Sequence, residues 1–197
     1  MRKDYSANSD IWRLRREWNH IKEDLLVQLN DGTYTFDLLE RYEFDDATIS
    51  LWSSQDMIAL KLISLVLGER MTEHIPKSCY HIKDRGGLKK AVCHTHAALS
   101  GHTYVMRSDI KSYYQSIRFD VLMEIIETYV THPILLTLLR KALHRTETRG
   151  GHFYDYDHIG IPKGSPLSPI LGAIALMPLD RAIGQIKDVF YARIMDD

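Results

Sequence analysis

Val189-Phe190-Tyr191-Ala192-Arg193-Ile194-Met195-Asp196-Asp197 reads as a short apolar strand that delivers two adjacent carboxylates at its end. Neighbouring carboxylates repel each other unless a cation or a basic side chain lies close, so this pair calls for positive charge. Upstream, Tyr104 to Ile110 reads as another strand, with Asp109 near its end and the aromatics Tyr113 and Tyr114 four and five places beyond that aspartate. Between the two lies Gly160-Ile161-Pro162-Lys163-Gly164-Ser165-Pro166-Leu167-Ser168-Pro169, a loop by composition that ends in a helix start: Ser168 offers a hydroxyl cap and Pro169 fits the first helical position. Each segment alone has an ordinary reading, as a cap, a loop or solvated charge. Their order along the chain is what gives them a joint meaning.

The three segments resemble the palm motifs of reverse transcriptases. Asp109-Ile110-Lys111-Ser112-Tyr113-Tyr114 is similar to the family's Asp-x-x-x-(Phe/Tyr)-(Phe/Tyr) motif, and Pro162 to Pro169 to its Pro-(Gln/Lys/Arg)-Gly-x-x-x-Ser-Pro loop. Tyr191 to Asp197 resembles the YxDD box with its Tyr-x-Arg lead-in. The resemblance is strongest over residues 104–197 and looser over 30–100, and it points to the group II intron and retron-like bacterial lineage. It implies an α+β right-hand polymerase, with fingers at about 1–103, a partial palm over 104–197, a fingers insertion at about 120–157, and no thumb.

Family resemblance also implies roles. Nucleotidyl transfer uses two divalent ions roughly 3.5–4 Å apart, magnesium with manganese as an alternative, and magnesium takes hard oxygen ligands. Asp109 and Asp196 would bridge both ions, the Ile110 carbonyl would complete the triphosphate-side ion, and Asp197 would lend negative field. Tyr114 sits where the family keeps an aromatic gate against a ribose 2′-hydroxyl, which also disfavours an RNA polymerase of the same shape. Lys163 and Gly164 would line the incoming nucleotide and template base; many relatives have Gln at the first position, and a basic residue occurs nearer to group II introns. Lys83 and Arg41 are the candidates for gripping the triphosphate. Implied partners are an RNA template, a DNA primer, deoxynucleoside triphosphates and a cognate structured RNA.

Several departures stand out. Ile194 replaces the Tyr of the YxDD box, and Gln115 replaces an Asp common in intron-type enzymes. Ser78 to Gly87 resembles the Ser-Tyr-Gly-Phe-Arg-Pro-Gly-Arg-Ser segment only loosely, and Met57 stands for the Arg of a family helix start. The family continues beyond the position of Asp197 with a returning strand, a primer grip and a thumb. That sets the expectation of a catalytic-core fragment with little activity by itself, its last strand an unpaired edge. The alternative from another class is a non-catalytic, maturase-like nucleic-acid-binding module or an inactive gene remnant.

Elsewhere the chain is ordinary. Leu14, Trp18, Ile21, Leu25 and Leu29 mark a helix over 10–30, ended by Asn30-Asp31-Gly32. Thr33–Phe36 and Ile49–Trp52 read as strands, and 54–67 as a helix closed by Gly68. Gly86-Gly87 precedes a helix over 88–99, and His132-Pro133 separates helices at 119–130 and 134–144. Arg149-Gly150-Gly151, followed by Phe153 to Tyr156, suggests a β-hairpin. The helix from Ser168 carries Gly172, Ala173 and Ala175, which would allow close approach to a sheet, and Pro178 should kink it.

The net charge of −1 is low for a protein that binds phosphates, but residues 61–90 hold seven Lys and Arg against three Asp and Glu. The longest apolar run, about Leu167 to Leu179, falls short of the roughly 20 residues that span a bilayer, and residues 1–5 lack the apolar core of a signal peptide. Two cysteines give no disulfide framework, which suits a reducing cytoplasm. Cys79, Cys93, His94 and His96 make a poor zinc set, because only Cys93, His94 and His96 are closely spaced, in a helix where neighbours point apart.

Overall fold

The computed structural model describes residues 6, 8–44, 47–155 and 159–197. Residues 1–5, and Tyr156 and His158 of the expected hairpin, lie outside them. The described residues form nine helices and one four-stranded sheet, a mixed α/β composition. Two compact units divide the chain.

The first unit draws on Met1–Val66, Thr131–His158 and Pro162–Leu167. The single helix expected over 10–30 is two, α1 (Asp10–Arg16) and α2 (Trp18–Asp31), broken at Glu17. Gly32 then ends α2 in the left-handed region at φ 78°, as its turn chemistry requires. The sheet has the order β2-β1-β3-β4, from β1 (Leu39–Phe44), β2 (Ala47–Leu51), β3 (Thr146–Arg149) and β4 (His152–Asp155). β1 runs antiparallel to β2 and parallel to β3, where Leu39 faces Glu147. β3 and β4 form the expected hairpin, with Gly150 and Gly151 both at positive φ.

Thr33–Phe36 is not a strand; it runs beside the core without a ladder. Side chains hold it instead. The Tyr34 hydroxyl donates to the buried Asp56 carboxylate at 2.7 Å, and Lys141 of α7 (Pro133–Leu143) donates to the Gly32 and Tyr34 carbonyls. Burial raises the Asp56 pKa, so the hydrogen bonds from Tyr34 and the Asp37 amide carry the compensation. Around them Leu25, Leu39, Leu60, Leu139 and Leu143 form the core.

Helix α3 (Ser54–Met71) runs past Gly68, contrary to the expected stop. A helical glycine costs about 1 kcal/mol relative to alanine; fully buried Leu67 and Met71 on either side outweigh that. Past its end, the Arg85 guanidinium donates to the carbonyls of Thr72, Ile75 and Pro76, which ties down the turn that follows the helix.

The second unit draws on Leu67–Val130, Ile159–Ile161 and Ser168–Asp197. It holds α4 (Gly87–Leu99), the short α5 (Tyr113–Ser116), α6 (Phe119–Tyr129), α8 (Ser168–Ala175) and α9 (Met177–Gly184). The break at Leu176 agrees with the expected effect of Pro178. α6 and α5 pack on α8, around Leu122, Ile126, Leu171 and Ile174. Neither Tyr104–Ile110 nor Val189–Ile194 is a strand. The former is irregular and exposed, with Tyr104 90% accessible. The latter makes a single parallel bridge, Arg193 to Cys79, so it is not the unpaired strand that was expected.

Gly172 lies against aromatic rings, not a sheet: a Cβ there would sit 2.5 Å from the Tyr113 hydroxyl oxygen and 3.1 Å from Tyr114 Cε1. Gly172→Ala would gain helix propensity of up to about 1 kcal/mol. Overpacking against a buried, stacked ring costs about 1–3 kcal/mol, so the net expectation is a loss of about 1 kcal/mol. Thermal unfolding should show this as a fall of roughly 2–4 °C in Tm, partly recovered by adding Tyr113→Phe. An unchanged Tm would mean that the rings yield freely.

Candidate active site

Two irregular segments of the second unit meet through one backbone bond: the Ile110 amide donates to the Asp196 carbonyl at 3.2 Å. That contact brings Asp109 and Ile110 beside Asp196 and Asp197. Ile194 and Asp197 exchange backbone bonds of 2.8 and 3.1 Å, closing a tight turn over Met195 and Asp196. Met195 sits in the left-handed region at φ 59°, and Ser112 does so at φ 54° just before α5. Neither is glycine, so each conformation has to be held by its surroundings.

Arg193 holds much of it. Arg193 is 2% exposed, and its guanidinium donates to both oxygens of the buried Asp180 at 2.7 and 2.6 Å. It also donates to the Met195 carbonyl at 2.6 Å and to Cys79 Sγ at 3.3 Å. Burial works against the Arg193 charge, but Asp180 outweighs it and holds the pKa above its ordinary value. Tyr191 donates a further bond to Asp180 at 2.8 Å. The backbone of Arg193 pairs with Ser78 and Tyr80 at 2.8 and 2.9 Å, so side chain and main chain fix the approach to the turn together.

Asp109 is exposed and Asp196 half-buried. Asp197 accepts a bidentate pair from Arg107 at 2.9 and 2.8 Å, which lowers its pKa. Among the described residues no three His, Cys, Asp or Glu side chains gather into a ready-made metal cluster. The donor chemistry nevertheless suits a hard cation: carboxylates of Asp109 and Asp196, with the Ile110 backbone, on two segments joined by a backbone hydrogen bond.

Tyr114 is half-buried, stacked on Tyr113 with ring centroids 4.8 Å apart, and its hydroxyl reaches Met195 Sδ at 3.8 Å. Burial first, and the Asp196 charge second, push its pKa up to about 12. The ring therefore stays neutral near pH 7 and adds no negative charge to the site.

Lys83 is exposed on the loop before α4, in the same unit as the aspartates. Lys163, Gly164 and Arg41 belong to the first unit. Lys163 and Gly164 are exposed, with Gly164 at φ 84°. Arg41 pairs with Glu43 at 3.0 Å and Glu147 at 3.8 Å, and its guanidinium lies 4.4 Å over the Tyr154 ring. Sequence reasoning did not single out Arg107, Asp180 or His81. Arg107 and Asp180 are charges beside apolar runs, a weak signal, and His81 acts across 114 positions and carries no local signal.

Comparison with known proteins settles the family. Residues 48–197 match the reverse transcriptase (RNA-dependent DNA polymerase) family; the chain belongs to it. It is 28% identical over 181 residues to an uncharacterized 91 kDa protein in a cob intron of Schizosaccharomyces pombe, covering 85% of this chain and 21% of that protein. It superposes on a chain of a partial Cas6-RT-Cas1–Cas2 complex with a TM-score of 0.58 at 18% identity, over 93% of this chain and 32% of the other. A second structure, of the Cas6-RT-Cas1–Cas2 complex, gives the same score and identity and is covered to 20%. At that identity the likeness concerns the fold. The chain thus spans about a fifth to a third of these proteins. No helix among the described residues is long and apolar enough to cross a membrane.

Proposed function

We propose that this chain carries the nucleotidyl-transfer site of an RNA-directed DNA polymerase, with fingers at about 1–103 and 120–157 and palm segments at 104–119 and 158–197. The observation that carries this reading is the Ile110-to-Asp196 backbone bond, which sets two carboxylate-bearing segments side by side in a chain of this family. Asp109, Asp196 and the Ile110 carbonyl would hold the catalytic magnesium, or manganese in its place. Such ions supply Lewis-acid charge where negative charge develops on the transferred phosphoryl group. Asp197, neutralised in part by Arg107, lends field and position.

Other residues bind and select. The Tyr114 ring, fixed by its stack on Tyr113, presents a flat wall to the sugar and excludes a 2′-hydroxyl. Lys163 and Gly164 line the nucleotide and the template base. Lys83 meets the triphosphate. The substrates are an RNA template, a DNA primer and deoxynucleoside triphosphates, and the basic stretch over residues 61–90 suits a structured RNA bound by its backbone.

Primer extension on an RNA template, using the full-length protein with magnesium, tests this reading. The wild type should incorporate deoxynucleotides and reject ribonucleotides. Tyr114→Val should keep deoxynucleotide incorporation and lower the discrimination by roughly tenfold to a hundredfold, the range a local steric contact can supply. A wild type that binds primer–template without extending it would remove the polymerase assignment. Unchanged discrimination in the variant would remove the gate.

A further inference from the structure

We infer that His81 is a positioning residue of the Met195–Asp196 turn, holding the backbone that aims the Asp196 carboxylate; the inference rests on the polymerase reading. The Met195 amide donates to His81 Nδ1 at 3.0 Å. At the other end of the same residue the Met195 carbonyl accepts from Arg193 at 2.6 Å. Both polar groups of a non-glycine residue at φ 59° are therefore gripped by side chains from outside the turn. Asp196 follows directly, so any relaxation of Met195 toward ordinary φ swings the Asp196 side chain.

The hydrogen bonds fix the imidazole's form. An Nδ1 that accepts from an amide has no proton, so the neutral ring carries its proton on Nε2. That Nε2 lies 3.3 Å from the Pro169 carbonyl in the first turn of α8, the acceptor it needs. Cys79 Sγ is 3.5 Å from Nδ1. Burial pushes the Cys79 thiol up to about 11, so it remains a thiol and a weak donor toward the same nitrogen. All three neighbours agree on one tautomer. Burial also lowers the His81 pKa, which favours the neutral ring. His81 thus ties the turn to α8, with Pro169 on one side of the ring and Met195 on the other.

Three substitutions separate the two sides. In His81→Asn the amide oxygen can occupy the Nδ1 position and accept from the Met195 amide, but the side chain is too short to reach the Pro169 carbonyl. His81→Gln reaches toward Pro169 and leaves the Met195 amide without its acceptor. His81→Phe makes neither hydrogen bond. In the full-length protein, His81→Phe and His81→Gln should lower kcat for primer extension by about tenfold to a hundredfold, the effect of a misplaced catalytic group, with KM for deoxynucleotide changed by less than about threefold. His81→Asn should stay within about threefold of wild type in kcat. Hydrogen exchange of the Met195 amide should rise in the Phe and Gln variants and stay slow in Asn. An Asn variant as impaired as Phe, or a Phe variant with unchanged Met195 exchange, would overturn the inference. If the wild type extends no primer, the polymerase reading falls on that result, and the exchange pattern alone decides whether His81 holds the turn.

Discussion

Asp109→Asn and Asp196→Asn should each lower deoxynucleotide incorporation by about a thousandfold or more and leave Tm within roughly 2 °C of wild type. Asparagine keeps the shape of the side chain and removes the charge, so packing is spared and only the proposed hold on a divalent ion is weakened. A metal's stabilisation of developing charge is worth several kcal/mol, and about 4 kcal/mol is a thousandfold in rate. Folding has little stake in either carboxylate: Asp109 is exposed, and the structural bond at Asp196 comes from its backbone carbonyl. Asp197→Asn should cost less, about tenfold, because its carboxylate is engaged with the exposed Arg107 and exposed pairs contribute little to stability. Single-nucleotide incorporation by the full-length protein, measured beside thermal unfolding, checks all three. Activity within tenfold of wild type for Asp109→Asn would sink its assignment as a ligand.

What the sequence disclosed follows from how local each signal is. Ser168-Pro169, His132-Pro133, Gly32 and the Gly150-Gly151 hairpin were legible because caps and turns are set by one or two residues. β1 was not legible: Leu-Glu-Arg-Tyr-Glu-Phe is rich in charge, and although β2 is its neighbour in sequence, its other partner, β3, lies about a hundred residues away. The opposite error occurred at Tyr104–Ile110 and Val189–Ile194. Their aromatic and β-branched residues signal side chains that suit a pleated surface, which does not by itself supply a ladder partner. The proposed site residues, the aspartates with Tyr114 and Lys163, were picked out by family motifs with fixed spacing, which is a local signal. The residues that hold Met195 were hidden because each reaches it through tertiary contact, His81 across 114 positions and Asp180 through Arg193.

Arg193→Met should be the most destabilising single change at this site, by about 3–5 kcal/mol, the cost of leaving a buried charge without its partner. Asp180 is 1% exposed and would keep only the Tyr191 hydroxyl from its observed partners. In a chain of this size that corresponds to a Tm roughly 10 °C lower. The geometry separates stability from activity, because Arg193 grips two things at once. One is Asp180, deep in the unit; the other is the Met195 carbonyl at the turn. Adding Asp180→Leu to Arg193→Met removes the orphaned carboxylate and should restore most of the lost stability, since apolar replacement of a buried pair is often neutral. It leaves the Met195 carbonyl released, so incorporation should remain at least about tenfold below wild type even in a protein that melts normally. A single variant that melts within 2 °C of wild type would show that the pair carries little stability. A double variant with full activity would mean that the Arg193 bond to Met195 has no part in aiming Asp196, leaving His81 as the remaining side-chain hold on that residue's backbone.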